Sequence, residues 1–576
     1  MIRLLCSVLT ILFYSTLFFG QNIDKEIIKK IDELYSPISN LSNPGGVVLI
    51  AQKGKILYSK AFGKANLEFG VDIKIDHKFR IASNTKPFTA CAILKLAEDG
   101  KLSLQDNITK YLKNYPTHGY SITIENLLTH TSGIKDFNAI KDFRKNEQTD
   151  FIPSEFINLF KDEPLEFEPG TKWSYSNSGY FLLGYIIEKV SNKRYSEYLE
   201  TTFFKPLGIK HTLYDNPRRI IKNRVNGYVP SNGAFLNGKY ITMTYPYSAG
   251  SLLSTVEDLH AFYKALFSYE ILSEKSLKKA TTPYILKNGA KTPTGYSWFL
   301  GNISGEPVIE HSGGITGFYS SIVYCIKEDL FITALTNCNW SFFDFENSTK
   351  KVASIVLDKE YFNKQVKNDN QKEYEGVYEN KSTQIKIIKE GSDLSFVRDN
   401  GSKFLLYNFE VDKIYNEIEF STYQFVRNQK GKIKGLMLKR TGSPVFFNKT
   451  NKKLPKKSIY RSIRLLAYKN ADEGIKRYHY LKKVDRTAYS FNSPNELNNL
   501  GYDFLNKKQA KNAIKIFQLL VSEFPENANS YDSLAEAYYH DGQKKLSLLN
   551  YRKSLELNNQ NKNAKIMRHK IISVKK

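Results

Sequence analysis

Apolar positions along the chain change their spacing several times, and each change marks an element. Residues 27–34 read as a helix, and 46–52 and 56–62 read as two strands joined across Lys53-Gly54, a hairpin signal. The stretch Ile81-Ala82-Ser83-Asn84-Thr85-Lys86-Pro87-Phe88 then opens a mainly apolar run, with Cys91, Ile93, Leu94 and Leu96, that Glu98-Asp99-Gly100 closes. This predicts a buried helix with Pro87 in its first turn, where a missing N–H costs nothing, and Gly100 near its C-terminal cap. Residues 124–128 lead into the turn-rich Thr129-His130-Thr131-Ser132-Gly133, and the polar section to about Pro169 is expected to form a mobile cover. Trp173-Ser174-Tyr175-Ser176-Asn177-Ser178-Gly179-Tyr180 precedes a helix over 181–190, and Tyr247-Ser248-Ala249-Gly250-Ser251 precedes another over 256–267. Strands return at 297–300, 308–311, 320–325 and 331–336. Outer hairpins with helices between them predict an α+β layered domain over residues 22–363.

Beyond a charged stretch at 364–373, expected to be a linker, the texture changes. Short strands are predicted at 384–389, 394–398, 403–407, 417–420, 423–427, 434–438 and 445–447. With turns at Asp399-Asn400-Gly401 and Asn428-Gln429-Lys430-Gly431, residues 374–450 form a small antiparallel meander or barrel. Residues 457–576 turn helical. Leu500, Gly501, Phe504, Ala513, Phe517, Leu520 and Pro525 recur 34 residues on as Leu534, Ala535, Tyr538, Ser547, Tyr551, Ser554 and Asn559. That spacing resembles the tetratricopeptide pattern of two helices per unit, with Ser547 and Asn559 as departures. Two units bury little alone, so helices at 458–481 and 562–574 are expected to flank them.

Charge and the chain's beginning add to this picture. Over 576 residues the formal charge is +26, and residues 451–576 alone hold 26 Lys and Arg against 11 Asp and Glu. A surface of that sign favours an anionic envelope face, although a solvated lysine-rich helical surface accounts for most such runs. Arg3 precedes an apolar run over 4–19, after which Gly20-Gln21-Asn22 turns polar, so residues 1–20 read as a signal peptide. The run spans about 24 Å as a helix, short of a hydrocarbon core of roughly 30 Å. Cleavage after Gly20 and retention as an uncleaved anchor both remain open, and either makes the protein exported: periplasmic or secreted. No nucleic-acid partner is expected in that compartment. Cys6 lies in the signal, and the odd set Cys91, Cys325 and Cys338 argues for reduced, buried thiols rather than a disulfide framework.

Three pieces carry chemistry. Ser83 lies at the predicted helix start with Lys86 one turn on, so a hydroxyl sits beside free N–H groups with an amine in reach. Tyr175-Ser176-Asn177 supplies a phenol that, flanked by cations, would have a lowered pKa and pass a proton to a leaving group. The same stretch supplies an amide to align a substrate carbonyl. His311-Ser312-Gly313-Gly314 ends a strand; its glycines allow close approach, and the Gly314 N–H pairs with that of Ser83 as an oxyanion hole. His311 would give a positive or hydrogen-bonding edge. His130, inside a Thr/Ser/Gly turn, is expected to be a structural hydrogen-bonder. No H-x-x-x-H or Cys/His pairing argues for a metal, no cofactor motif is present, and neither a G-x-S-x-G elbow nor a P-loop occurs.

In this order, Ser-x-x-Lys, Tyr-x-Asn and a His-x-Gly element resemble the serine β-lactamase and penicillin-binding-protein superfamily, in its class C–like branch of DD-peptidases, D-aminopeptidases, β-lactamases and esterases. Leu127–Gly133 and Ala249–Ser254 are similar to segments of that branch, and the resemblance covers about 27–361. It implies Ser83 as nucleophile, Lys86 as its partner, Tyr175 as general base and acid, Asn177 as substrate aligner, and His311, Ser312 and Gly313 as the third element. Class C β-lactamases carry lysine where this chain has His311, which points toward the peptidase relatives. The resemblance implies small peptide, amide, ester or β-lactam substrates. A protein partner at the helical tail is a further expectation, and a catalytically silent binding protein is the rival of another class.

Overall fold

The computed structural model of the chain describes residues 23–573, apart from 217, 232–233, 304, 341–342, 359–370, 381–383, 391–392, 398–402, 417–419, 439–444, 453–456, 485 and 487–488. The signal peptide, Cys6, the turn at 399–401 and most of the expected linker lie outside the described residues; Gln371–Tyr374 at the linker's end is a 3-10 turn. The chain divides into two compact units, Met1–Glu360 and Tyr361–Lys576.

In the first unit, β1 (Gly46–Gln52) and β2 (Lys55–Phe62) form the expected hairpin. Four later strands complete the sheet: β3 (Phe299–Ile303), β4 (Glu306–Ile315), β5 (Phe318–Cys325) and β6 (Leu330–Thr336). The order is β3-β4-β5-β6-β1-β2 and every neighbouring pair is antiparallel. Chain start and chain end of the unit thus meet in the middle, where β1 pairs with β6 from Gly46 opposite Thr336 to Gln52 opposite Leu330. β1, β5 and β6 are almost wholly buried, as a central strand between helical layers must be. One layer contains α1 (Lys86–Glu98), α2 (Asn177–Ser191) and α3 (Val256–Phe267). In α1 every residue from Lys86 to Leu94 is buried, which explains a run too apolar for a surface helix. The section expected to be a mobile cover is instead packed. Phe137, Phe143, Phe156 and Phe160 are buried, and Phe156 stacks on Phe181 of α2 with ring centroids 4.5 Å apart. Cys91, Cys325 and Cys338 are buried thiols.

The second unit begins with eight strands, β7 (Gly376–Glu379), β8 (Gln384–Glu390), β9 (Asp393–Val397), β10 (Lys403–Glu410), β11 (Lys413–Asn416), β12 (Ser421–Arg427), β13 (Ile433–Leu438) and β14 (Val445–Thr450). They close into an antiparallel barrel in which β7 pairs with β14. The strand expected at 417–420 falls almost wholly on residues outside those described; β11, just before it, follows Asp412 at φ +61°. Among the described residues seven helices follow: α4 (Ile459–Lys469), α5 (Ala471–Val484), α6 (Asn495–Asn506), α7 (Ala510–Glu523), α8 (Ala528–His540), α9 (Lys544–Leu557) and α10 (Lys562–Ser573). Gly501 explains the close packing of α6 on α7: a Cβ there would lie 2.2 Å from the Phe517 ring. Ser547, where the repeat pattern favours alanine, is buried with its hydroxyl unpartnered among the described residues.

Candidate active site

The short strand Phe79–Arg80 feeds a 3-10 turn, Ala82–Thr85, that runs directly into α1. Ser83 therefore sits one turn before the α-helix proper, with Pro87 in the helix's first turn. Ala82 adopts φ +47°, a left-handed conformation that costs a non-glycine residue of order 1 kcal/mol or more and needs support from its surroundings. That support comes from β5: Ser320 Oγ donates to the Ile81 carbonyl at 2.6 Å and accepts from Asn84 Nδ2 at 2.8 Å. β4 closes in beside it. A Cβ on Gly313 would stand 2.2 Å from the Ile81 carbonyl oxygen and 3.0 Å from the Ser83 nitrogen, so only glycine allows this approach.

Lys86 is fully buried. Its ammonium donates to Ser83 Oγ at 3.1 Å, to Asn177 Oδ1 at 2.9 Å and to the Ala249 carbonyl at 2.8 Å. Burial lowers its pKa to about 7, while the charge of Asp136 works in the opposite direction. Asp136 also fixes Asn177: one carboxylate oxygen accepts from the Asn177 backbone N–H at 2.9 Å and from Nδ2 at 2.8 Å, which turns Oδ1 toward Lys86. Sequence reasoning missed Asp136, although it stands only three residues beyond Gly133.

Tyr175 lies against this pair. Lys86 Nζ is 4.9 Å from the centroid of its ring. The expectation of a depressed phenol pKa is not met. Desolvation pushes it well above 10, and the Ser83 contact only moderates that rise. Nor is His311 a cation: burial and the Lys86 charge push its pKa down to about 3. Its Nδ1–H donates to the Ser312 carbonyl at 2.6 Å, and its ring stands 6.4 Å from that of Tyr175. His130 bonds as expected, with Nδ1 accepting the Ser176 N–H at 3.1 Å.

Ser83, Asn177 and Gly314 line one cavity of about 390 Å³, with Phe137, Asn138, Tyr245 and Asn339. Among the described residues that line it, Arg144 and Glu147 carry the full charges. Of the residues singled out by sequence, Ser83, Lys86, Tyr175 and Asn177 meet through direct contacts, while Gly313 and Gly314 bring β4 alongside. Ser312 follows His311 on that strand without lining the cavity.

A buried amine bonded to a serine hydroxyl, on an antiparallel sheet backed by helices, defines a serine hydrolase of the β-lactamase and penicillin-binding type. The chain belongs to the Beta-lactamase family, whose model matches residues 29–356. Penicillin-binding protein 4* of Bacillus subtilis is 30% identical over 345 residues, covering 57% of this chain and 76% of that relative. Protein flp of Staphylococcus aureus is 30% identical over 304 residues, and this chain spans 60% of its length. Among solved structures, the octameric penicillin-binding protein homologue from Pyrococcus abyssi superposes with a TM-score of 0.51 at 24% identity. That match covers 73% of this chain and 99% of the homologue, a larger share than the hydrolase unit alone supplies.

Proposed function

We propose that the protein acts through an acyl-enzyme on Ser83, with D-amino-acid peptides or related amides and esters as substrates, in the manner of a DD-carboxypeptidase or D-aminopeptidase. The observation that carries this reading is Lys86: a buried amine 3.1 Å from the Ser83 oxygen whose pKa of about 7 leaves it half neutral near physiological pH. Neutral Lys86 takes the Ser83 proton as the hydroxyl attacks. Tyr175 keeps its proton and therefore serves as the acid that delivers one to the leaving nitrogen. The N–H groups of Ser83 and Gly314 hold the oxyanion. Asn177, with one Nδ2 hydrogen committed to Asp136, turns the other to the substrate carbonyl. His311, Ser312 and Gly313 are taken as the third element of the site, the stretch of β4 that sets Gly314 at the cavity. Because His311 is neutral, a β-lactam carboxylate meets no cation there, and hydrolysis of β-lactams is expected to be slower than that of D-alanyl esters.

Labelling with a fluorophosphonate and with fluorescent penicillin tests this directly. Wild type should label and Ser83→Ala should not; labelling that survives the substitution overturns the reading. A profile across D-Ala-D-Ala peptides, D-amino amides, esters and a chromogenic cephalosporin then orders the substrates. The domain borders that go with this function are residues 22–363 for the hydrolase, 374–450 for the barrel and 457–576 for the tetratricopeptide-like tail. Export by the N-terminal signal and docking of a protein partner on the tail belong to the same proposal. Among the described residues no helix is long and apolar enough to cross a membrane.

A further inference from the structure

We propose that His130 is a positioning residue for Tyr175, gripping both backbone amides that flank the phenol and fixing the plane of its ring. The inference rests on the reading of Tyr175 as proton donor to the leaving group.

His130 follows the helix Ile124–Leu128 with φ +58°, again a left-handed conformation that is costly for a residue with a side chain. Its carbonyl accepts the Ser174 N–H at 3.0 Å, and its Nδ1 accepts the Ser176 N–H at 3.1 Å. One residue thus binds the amides on either side of Tyr175. The two rings stack as well, with centroids 4.5 Å apart and planes 29° from parallel. Trp173 and Tyr180 pack on the imidazole at 6.1 and 5.0 Å. Since Nδ1 accepts, the ring proton is on Nε2, which is buried and unpartnered among the described residues. An unpaired buried N–H costs about 1–3 kcal/mol.

The fold therefore sustains two penalties at one residue that is 1% exposed. The turn itself needs neither. Asn126 Nδ2 donates to Thr131 Oγ1 at 3.1 Å, and the Thr129 and Thr131 hydroxyls bond at 2.8 Å, so side chains other than the imidazole already tie it together. What the imidazole alone supplies is its hold on the Tyr175 segment. Burial, reinforced by the Lys86 charge, keeps it neutral there.

In the step it serves, Ser83 Oγ bonds to the acyl carbon and the C–N bond breaks. The Ser83 proton passes to Lys86, the leaving nitrogen takes a proton from Tyr175, and Lys86 returns one to the phenolate. The net transfer is one proton from serine to amine. A p-nitrophenolate leaving group needs none, so a displaced phenol slows amides far more than such esters.

The experiment compares full-length wild type, Tyr175→Phe, His130→Asn and His130→Phe on the methylamide and the p-nitrophenyl ester of acetyl-D-alanine. Asparagine tolerates the left-handed backbone and keeps an acceptor without the ring; phenylalanine keeps the ring without the acceptor. On the amide, kcat should fall about a hundredfold or more in Tyr175→Phe and about tenfold or more in both His130 variants, in each case by a factor about ten times larger than on the ester. Should Tyr175→Phe be selective while the His130 variants slow both substrates alike, or neither, the residue is only structural and the inference is overturned. Should Tyr175→Phe show no selectivity, or wild type leave the amide uncut, the reading of Tyr175 fails and takes this inference with it. If His130→Asn does not fold, His130→Phe alone carries the comparison.

Discussion

At Lys86, burial and a neighbouring charge pull the amine's pKa in opposite directions. In the proposed mechanism acylation needs the neutral amine, and its pKa is lowered to about 7, so the rate should rise as pH passes upward through that value and level off above it. Asp136 favours the ammonium; Asp136→Asn should therefore move the midpoint to lower pH. Stopped-flow acylation by a p-nitrophenyl ester across pH measures both, and a midpoint that stays in place in Asp136→Asn contradicts the electrostatic account. The spacing of Ser83 and Lys86 was readable from the sequence, but their energetics were not. Nothing in a Ser-x-x-Lys pair states that the lysine is fully buried with three acceptors around it. The sequence expectation for Tyr175 went astray for the same reason, since it counted neighbouring cations and left out desolvation.

Strands and helices with a clear period were legible. The hairpin strand Gly46–Gln52 and the helix Val256–Phe267 fall where the pattern puts them, the latter started by Thr255 accepting the Asp258 N–H at 3.2 Å. The segment between Ile134 and Pro169 misled because Phe137 and Phe143 sit on short 3-10 turns and Phe156 on a six-residue helix, so the apolar positions follow no single period. β4 makes the sharpest demand on sequence. Gly313→Ala would set a methyl group 2.2 Å from the Ile81 carbonyl, forcing the strand away from Ser83. Acylation should drop on the order of a hundredfold as the oxyanion donors separate, with a stability loss of about 1–3 kcal/mol. Acylation kinetics and thermal unfolding of the variant check the two effects, and a methyl group tolerated without loss of rate would show that the approach is unimportant.

Across the whole chain, the contacts of the proposed site lie within Met1–Glu360, which has its own buried core. A protein ended at Glu360 should acylate on a small ester within about threefold of the full-length rate, because a proximity effect needs only the groups that meet the substrate. A loss of an order of magnitude, with the shortened chain folded by circular dichroism, would mean that the second unit takes part in the chemistry. The sequence announced the three textures of this molecule through changes in apolar spacing. It left undecided whether the middle one was an open meander or a barrel, since closure depends on pairing between residues about seventy apart.

That closure has a topological consequence. Val377 pairs with Thr450, so the chain leaves the barrel beside the point where it entered, about one strand spacing away. A module whose two ends are neighbours behaves as a cassette: it can be gained, lost or exchanged in evolution while the segments before and after it remain as near to each other as they were.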